Sequence, residues 1–340
     1  LRFDNPITDH GFEFPDLADF PGVEDEPRFE ADDKAENDLR TLQESFENDD
    51  WMLFSKTFST YCVLDKKTRG KIKKMFEFYQ WFESSRVHSE EFADSEIHEA
   101  LYEQGYFPTR IDLTKVKNHL QNQIESLYEI EDHIPNIGSM DRHAPVNKGA
   151  LRSIHQVLDA EGILDAASKY LARERKLKVG SAYLHIGTPT DSHWKQFYQD
   201  QTYISKTTNL HIDPVEDQIK VMLYLNDVDM ESGPFSYIPY SNRWIHDDVQ
   251  NIFGRAIATG SYCDTPEKRI GIFRLPKRLR VSFNFGRTLL DTNPLQQRIL
   301  GTEKLFTSNN HNCIVFDPAG MHRGGICNSK DRIAIQVLLK

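Results

Sequence analysis

The sequence predicts an α+β fold, with helices in the first half of the chain and a β-sandwich or barrel in the second. Three observations carry that expectation. Apolar residues recur at helical spacing as far as Leu171, short β-rich runs replace them after Lys176, and the last of those runs has two unlike faces.

Taken in order, Lys67–Phe82 sets Ile72, Met75, Phe76, Tyr79 and Phe82 on one helical stripe. Asp112–Ile130 does the same through Val116, Leu120, Ile124 and Leu127, with Asp112 as the expected N-cap. Leu151–Leu158 and Ile163–Leu171 form two further helices with Gly162 between them. The predicted strands are Leu177–Ile186, Gln218–Asn226, Phe235–Pro239, Leu279–Phe285, Cys313–Asp317 and Arg332–Leu339, separated by Gly, Pro, Asn and Asp. In the last, Arg332, Ala334, Gln336 and Leu338 share one face, and Ile333, Ile335, Val337 and Leu339 the other. The wholly apolar face calls for a cover, which the helices could supply. The partly polar face would line a cavity.

Composition narrows the function classes. The 340 residues are 39% hydrophobic and 11% aromatic, enough for a large core, and no apolar run approaches membrane-spanning length. The start, LRFDNPITDH, lacks the basic and apolar regions of a signal peptide, and the scattered cysteines read as reduced thiols in a cytoplasmic protein. Cys62, Cys263, Cys313 and Cys327 form no CxxC pair, which speaks against a zinc ribbon or disulfide framework. The net charge of −11 resides in residues 16–50, with fourteen Asp and Glu against three Lys and Arg, leaving the rest neutral. Such a block reads as a solvated or partly disordered arm. Neither a nucleic-acid nor a membrane partner is expected.

The chemistry concentrates around HID, residues 211–213. His211 and Asp213 stand two apart, so on a strand they leave the same face, and a carboxylate turned inward needs a counter-charge or a metal. A second histidine in a similar setting, His322, lies 109 residues after Asp213 and is followed by a Gly-rich link and a strand opening with Arg332. Two histidines and one carboxylate form a facial triad that leaves positions open on non-haem Fe(II). A 2-oxo acid can chelate two of these and O2 can take the third. An arginine in the same cavity would pair with the far carboxylate of 2-oxoglutarate. Arg332 has a competing reading as a salt-bridge partner of Asp331 or Asp317. Asn209, two residues before His211, shares its face and could hydrogen-bond the 2-oxo acid or serve the fold. His246-Asp247-Asp248 also fits HxD, and His88-Ser89-Glu90 its looser form, but neither leads into an apolar strand.

The stretches HID, QIKVMLYLNDVDMESGPFSYIPYSNRW and AGMHRGGICNSKDR resemble the phytanoyl-CoA dioxygenase-like family. EQGYFPTRIDLTKVKNHL is similar to that family's opening strand and helix, so the resemblance runs from about Glu99 to Lys340. It implies a double-stranded β-helix (jelly-roll, cupin-like) core with packed N-terminal helices. It also implies Fe(II) on His211, Asp213 and His322, and 2-oxoglutarate on Arg332. Pro239-Tyr240-Ser241-Asn242 stands where family members often carry Pro-Gly-Ser-His. The long interval from Asp213 to His322 implies an insertion at about 241–305. The expected division is an acidic arm and helical extension over 1–95 and an oxygenase domain over 96–340.

The expected activity is Fe(II)- and 2-oxoglutarate-dependent oxidation, by default hydroxylation, of a small organic metabolite with O2 as second co-substrate. Lys268, Arg269, Arg274, Lys277, Arg278, Arg280 and Arg287 run without an acid among them. They form a solvated face or dock for the acidic arm, or a lid that attracts an anionic or carrier-bound substrate. Trp194, Phe197, Tyr198 and Tyr203 wall a pocket or simply pack. Two other classes share the metal motif or the barrel: a cupin-like isomerase or hydrolase, and a non-catalytic ligand-binding barrel.

Overall fold

The computed structural model describes residues 32–60, 66, 69–70, 72–74, 76–77, 80, 95–129, 140–171, 175–189, 213, 218–239, 241–243, 301–318 and 320–340. Near the start, α1 (Asp32–Glu47) and α2 (Trp51–Phe58) precede α3, formed by the helical residues described between 66 and 80. Leu42, Phe46, Phe54, Phe58, Ile72 and Phe76 are buried, and Phe76 packs edge-on against Phe46 at 5.3 Å and Phe54 at 4.9 Å. Half of the acidic segment therefore departs from the expected solvated arm. Leu42 and Phe46, four residues apart, give it one apolar stripe, and that stripe is buried.

Among the described residues there follow α4 (Glu96–Gln104), β1 (Tyr106–Thr109), α5 (Thr114–Tyr128), β2 (Met140–Pro145), α6 (Lys148–Ala160), α7 (Ile163–Tyr170), β3 (Val179–Thr188), β4 (Ile219–Tyr224), β5 (Phe235–Tyr237), β6 (Lys304–Phe306), β7 (Cys313–Phe316), β8 (His322–Arg323) and β9 (Arg332–Leu339). Gly162 takes a left-handed conformation, φ 72°, between α6 and α7, as the sequence led one to expect. Asp112 is not the N-cap of α5. Leu113 occupies that position, and Asp112 Oδ1 instead accepts from Thr114 N (2.9 Å) and Oγ1 (2.6 Å), a tight Asx turn just ahead of the helix.

The architecture is α+β with antiparallel sheets. A six-stranded sheet runs β1-β7-β4-β9-β3-β2, and a three-stranded sheet runs β6-β5-β8. Ile219, Val221, Leu223, Cys313, Val315, Ile335, Val337 and Leu339 project from one face of the larger sheet into a core completed by α4–α7, through Leu101, Val116, Leu120, Ile154, Leu158 and Leu164. The opposite face, with Tyr106, Tyr224, Ile314, Phe316 and Ala334, meets Phe235, Tyr237 and Phe306 of the smaller sheet. The two faces of β9 are thus divided as its alternation predicted. Among the described residues, no helix is long and apolar enough to cross a membrane.

Candidate metal centre

Asp213 and His322 approach each other because two turns are tied together. The backbone N–H of Asp213 donates to Pro318 O (2.9 Å) in the turn after β7. That turn is closed by Gly320 N donating to Asp317 O (3.1 Å), and it delivers His322 to the start of β8. Ser241 anchors the same turn, its Oγ accepting from Met321 N (2.7 Å). Tyr237 Oη donates to Asp317 O (2.9 Å). Arg323, next to His322, forms a two-pronged ion pair with Glu303, Nε to Oε1 and Nη2 to Oε2 each 2.7 Å, and Ser236 also donates to Glu303. A histidine held from so many sides keeps one orientation.

That orientation sets its chemistry. His322 is 4% exposed, and its ring sits among Phe316, Phe235 and Tyr237 with centroids 5.1, 5.9 and 6.4 Å away. Nδ1 lies 2.8 Å from Gly320 O. A carbonyl only accepts, so Nδ1 carries a hydrogen, and Nε2 is the ring nitrogen turned toward Asp213. Nε2 and Asp213 Oδ2 are 3.3 Å apart. With Nε2 unprotonated these are two acceptors, which repel unless a cation lies between or beside them. Here the Lys220 ammonium donates to the same Oδ2. The donor pair also fits a divalent metal: two ligand atoms ~2.1 Å from one ion, at an angle of ~100°, lie about 3.2 Å apart. The Nδ1–carbonyl bond is the usual support for a ligating histidine.

Arg332 enters the same inter-sheet layer from the first residue of β9. Gly187 faces it across the β3–β9 pair, and a Cβ on Gly187 would lie 3.7 Å from Arg332 Nη2 and 2.9 Å from Cys327 Sγ. The guanidinium donates through Nη1 to Gly233 O and to Gly325 O (2.9 Å). Both acids weighed as its partners are engaged elsewhere. Asp317 accepts from Tyr170 Oη and Asp331 from Tyr128 Oη, each at 2.7 Å. Nearby Tyr224 is fully buried, which pushes its hydroxyl up to about 12, against a smaller downward pull from the Arg332 charge. Asn226 fixes where β9 begins, accepting from Ile333 N (2.7 Å) and donating to Asp331 O (2.8 Å).

Residues 120–259 match the family described as Phytanoyl-CoA dioxygenase (PhyH). The chain is similar to that family over this stretch. The match includes His211 and Asp213 and stops short of His322 and Arg332. No curated protein matches. Among solved structures, the chain is similar to the non-heme alpha ketoglutarate dependent carbocyclase SnoK from nogalamycin biosynthesis, at 15% identity, over 73% of this chain and 84% of that one, with a TM-score of 0.43. It is similar also to HygX from Streptomyces hygroscopicus with nickel and 2-oxoglutarate bound, at 12% identity, over 72% and 85% of the two chains, with a TM-score of 0.39.

The structure brings together Asp213 and His322 and sets Arg332 in the layer they face. His211 and Asn209 lie outside the described residues, as do His88, His246, Trp194, Phe197, Tyr198, Tyr203, the basic segment 268–287 and residues 244–300 of the expected insertion. The departure from Pro-Gly-Ser-His has a structural meaning. Ser241 holds the His322 turn, while Asn242 donates to Leu101 O (3.3 Å) and Tyr170 Oη (3.2 Å), so this pair buttresses the centre. Sequence reasoning missed Lys220, Glu303 and Asn226. For Lys220 a signal existed: a charged residue on the inward register of an otherwise apolar strand, IKVMLY.

Proposed function

We propose that the chain is a non-haem Fe(II) and 2-oxoglutarate-dependent oxygenase acting on a small organic metabolite, built on a double-stranded β-helix. His211, Asp213 and His322 would hold the metal, and Arg332 would take the far carboxylate of 2-oxoglutarate, with Asn209 beside it. The observation that supports this most is the 3.3 Å approach of His322 Nε2 to Asp213 Oδ2, with Nδ1 already committed to Gly320. Bound Fe(II), with 2-oxoglutarate and O2, supplies oxidation of a C–H bond coupled to decarboxylation to succinate. The chain's part is to fix ligands and orient reactants. The Phe235, Tyr237 and Phe316 rings keep water from one side of His322. Hydroxylation is the outcome we assign, on an anionic or carrier-bound substrate if the 268–287 segment meets it. We place the protein in the cytoplasm, without nucleic-acid or membrane partners.

Anaerobic titration with Fe(II) tests the reading. Wild type should bind one ion and release succinate once 2-oxoglutarate and O2 are added. His322→Ala, folded as judged by circular dichroism, should do neither. Iron stoichiometry unchanged in His322→Ala would remove the assignment, and tight metal binding without succinate would favour a cupin-like isomerase or hydrolase.

A further inference from the structure

Lys220 stands on β4 between Ile219 and Val221, both of which pack toward the helices, so its own side chain enters the layer between the sheets. It is 8% exposed. An ammonium so placed needs a partner, and it has one in Asp213 Oδ2, the oxygen that also faces His322 Nε2 at 3.3 Å. One carboxylate oxygen is therefore claimed by an ammonium and, in the reading above, by a metal ion. Two cations cannot share that oxygen at contact distance without strong mutual repulsion in a half-dry site. A lysine can yield, because its charge rides on a flexible four-carbon stem.

We propose that Lys220 is an internal cation that a divalent metal displaces from Asp213, and that it thereby sets the metal affinity of the centre. This rests on the assignment of Asp213 and His322 as ligands. Lys220 is a positioning residue in this scheme: while no metal is held it neutralises Asp213 and keeps the carboxylate turned toward His322. When the ion arrives, the ammonium swings off Asp213 on its flexible stem.

The test is Ni(II) binding to the metal-free full chain, without co-substrate, by equilibrium dialysis and by the rise in Tm on adding nickel. Lys220→Met keeps the length and removes the charge. It should bind Ni(II) about tenfold or more tightly than wild type, the factor expected when a charged hydrogen bond no longer competes, and nickel should raise its Tm further than it raises wild type's. Lys220→Gln should move the same way by less, and carries the test if the Met variant does not fold. Equal or weaker Ni(II) binding in folded Lys220 variants, with His322→Ala losing the ion, overturns the displacement scheme. Ni(II) retained by His322→Ala instead overturns the ligand assignment on which it rests.

Discussion

His322 commits one ring nitrogen to the Gly320 carbonyl, and that bond decides what the other nitrogen can do. Gly320 is fitted to the task in a second way. A Cβ there would lie 1.8 Å from Tyr237 Oη and 3.0 Å from Ser241 Oγ, so no larger residue fits the turn unless both side chains move. Arg332 is the residue whose proposed role has a magnitude. A charged hydrogen bond is worth about 1.5–3 kcal/mol, or roughly 10- to 150-fold in affinity. Arg332→Ala should raise the 2-oxoglutarate concentration needed for half-maximal succinate release by an amount of that order, with Fe(II) stoichiometry unchanged. A normal titration would move the role to another side chain. At this scale the sequence singles out residues whose type is chemically unusual for their surroundings, as with Asp213 and Arg332. It was silent about Gly320, whose importance lies in how close Tyr237, some eighty positions away, comes to it.

Strand β9 shows what elements add. Ile335 is 0% exposed in the core between sheet and helices, while its neighbour Gln336 points into the other layer. Ile335→Ala should cost about 2–5 kcal/mol by urea denaturation, the range for truncating a buried aliphatic side chain. Gln336→Ala should cost clearly less. Equal losses would contradict the division of faces. This strand, α6 and α7 were legible because each repeats its period long enough to fix both type and orientation. Strands β2, β6 and β8 were not. Met140–Pro145 is a sheet edge carrying Asp, Arg and His, so no alternation marks it. Lys304–Phe306 and His322–Arg323 hold three and two residues, too few for any period, and are strands only because β5 lies between them.

Across the whole molecule, the link between β6 and β7 joins the two sheets, and His311 sits in it with its ring edge-on to Phe306 at 5.7 Å. Arg110, which follows β1, grips the same link through Ser308 O and Asn309 O, each at 2.8 Å. Burial, and secondarily the Arg110 charge, holds the His311 imidazole below its ordinary value of 6.5. The unfolded chain then binds that proton more readily than the folded one. The His311 contribution to stability is complete above the unfolded value and is lost as pH falls below it through the lower folded value. The difference in urea midpoint between wild type and His311→Gln should therefore shrink from about pH 7.5 to about pH 5.5. A difference that stays constant would mean that His311 titrates as it does in an open chain.

The donor pair is divided between layers. Asp213 is held to β4 through Lys220, on the six-stranded sheet, and His322 belongs to β8, on the three-stranded one. Neither layer contains the pair by itself, so the pair reports on whether the layers are in register. Among the described residues, β8 is an edge strand of two residues, bonded to β5 in its sheet. Short edges open at lower free energy than a core. Any brief parting of β8 from β5 would abolish the centre while the helices and the larger sheet stay folded, and an ion that prefers the closed form would make that parting rarer in proportion to its own concentration.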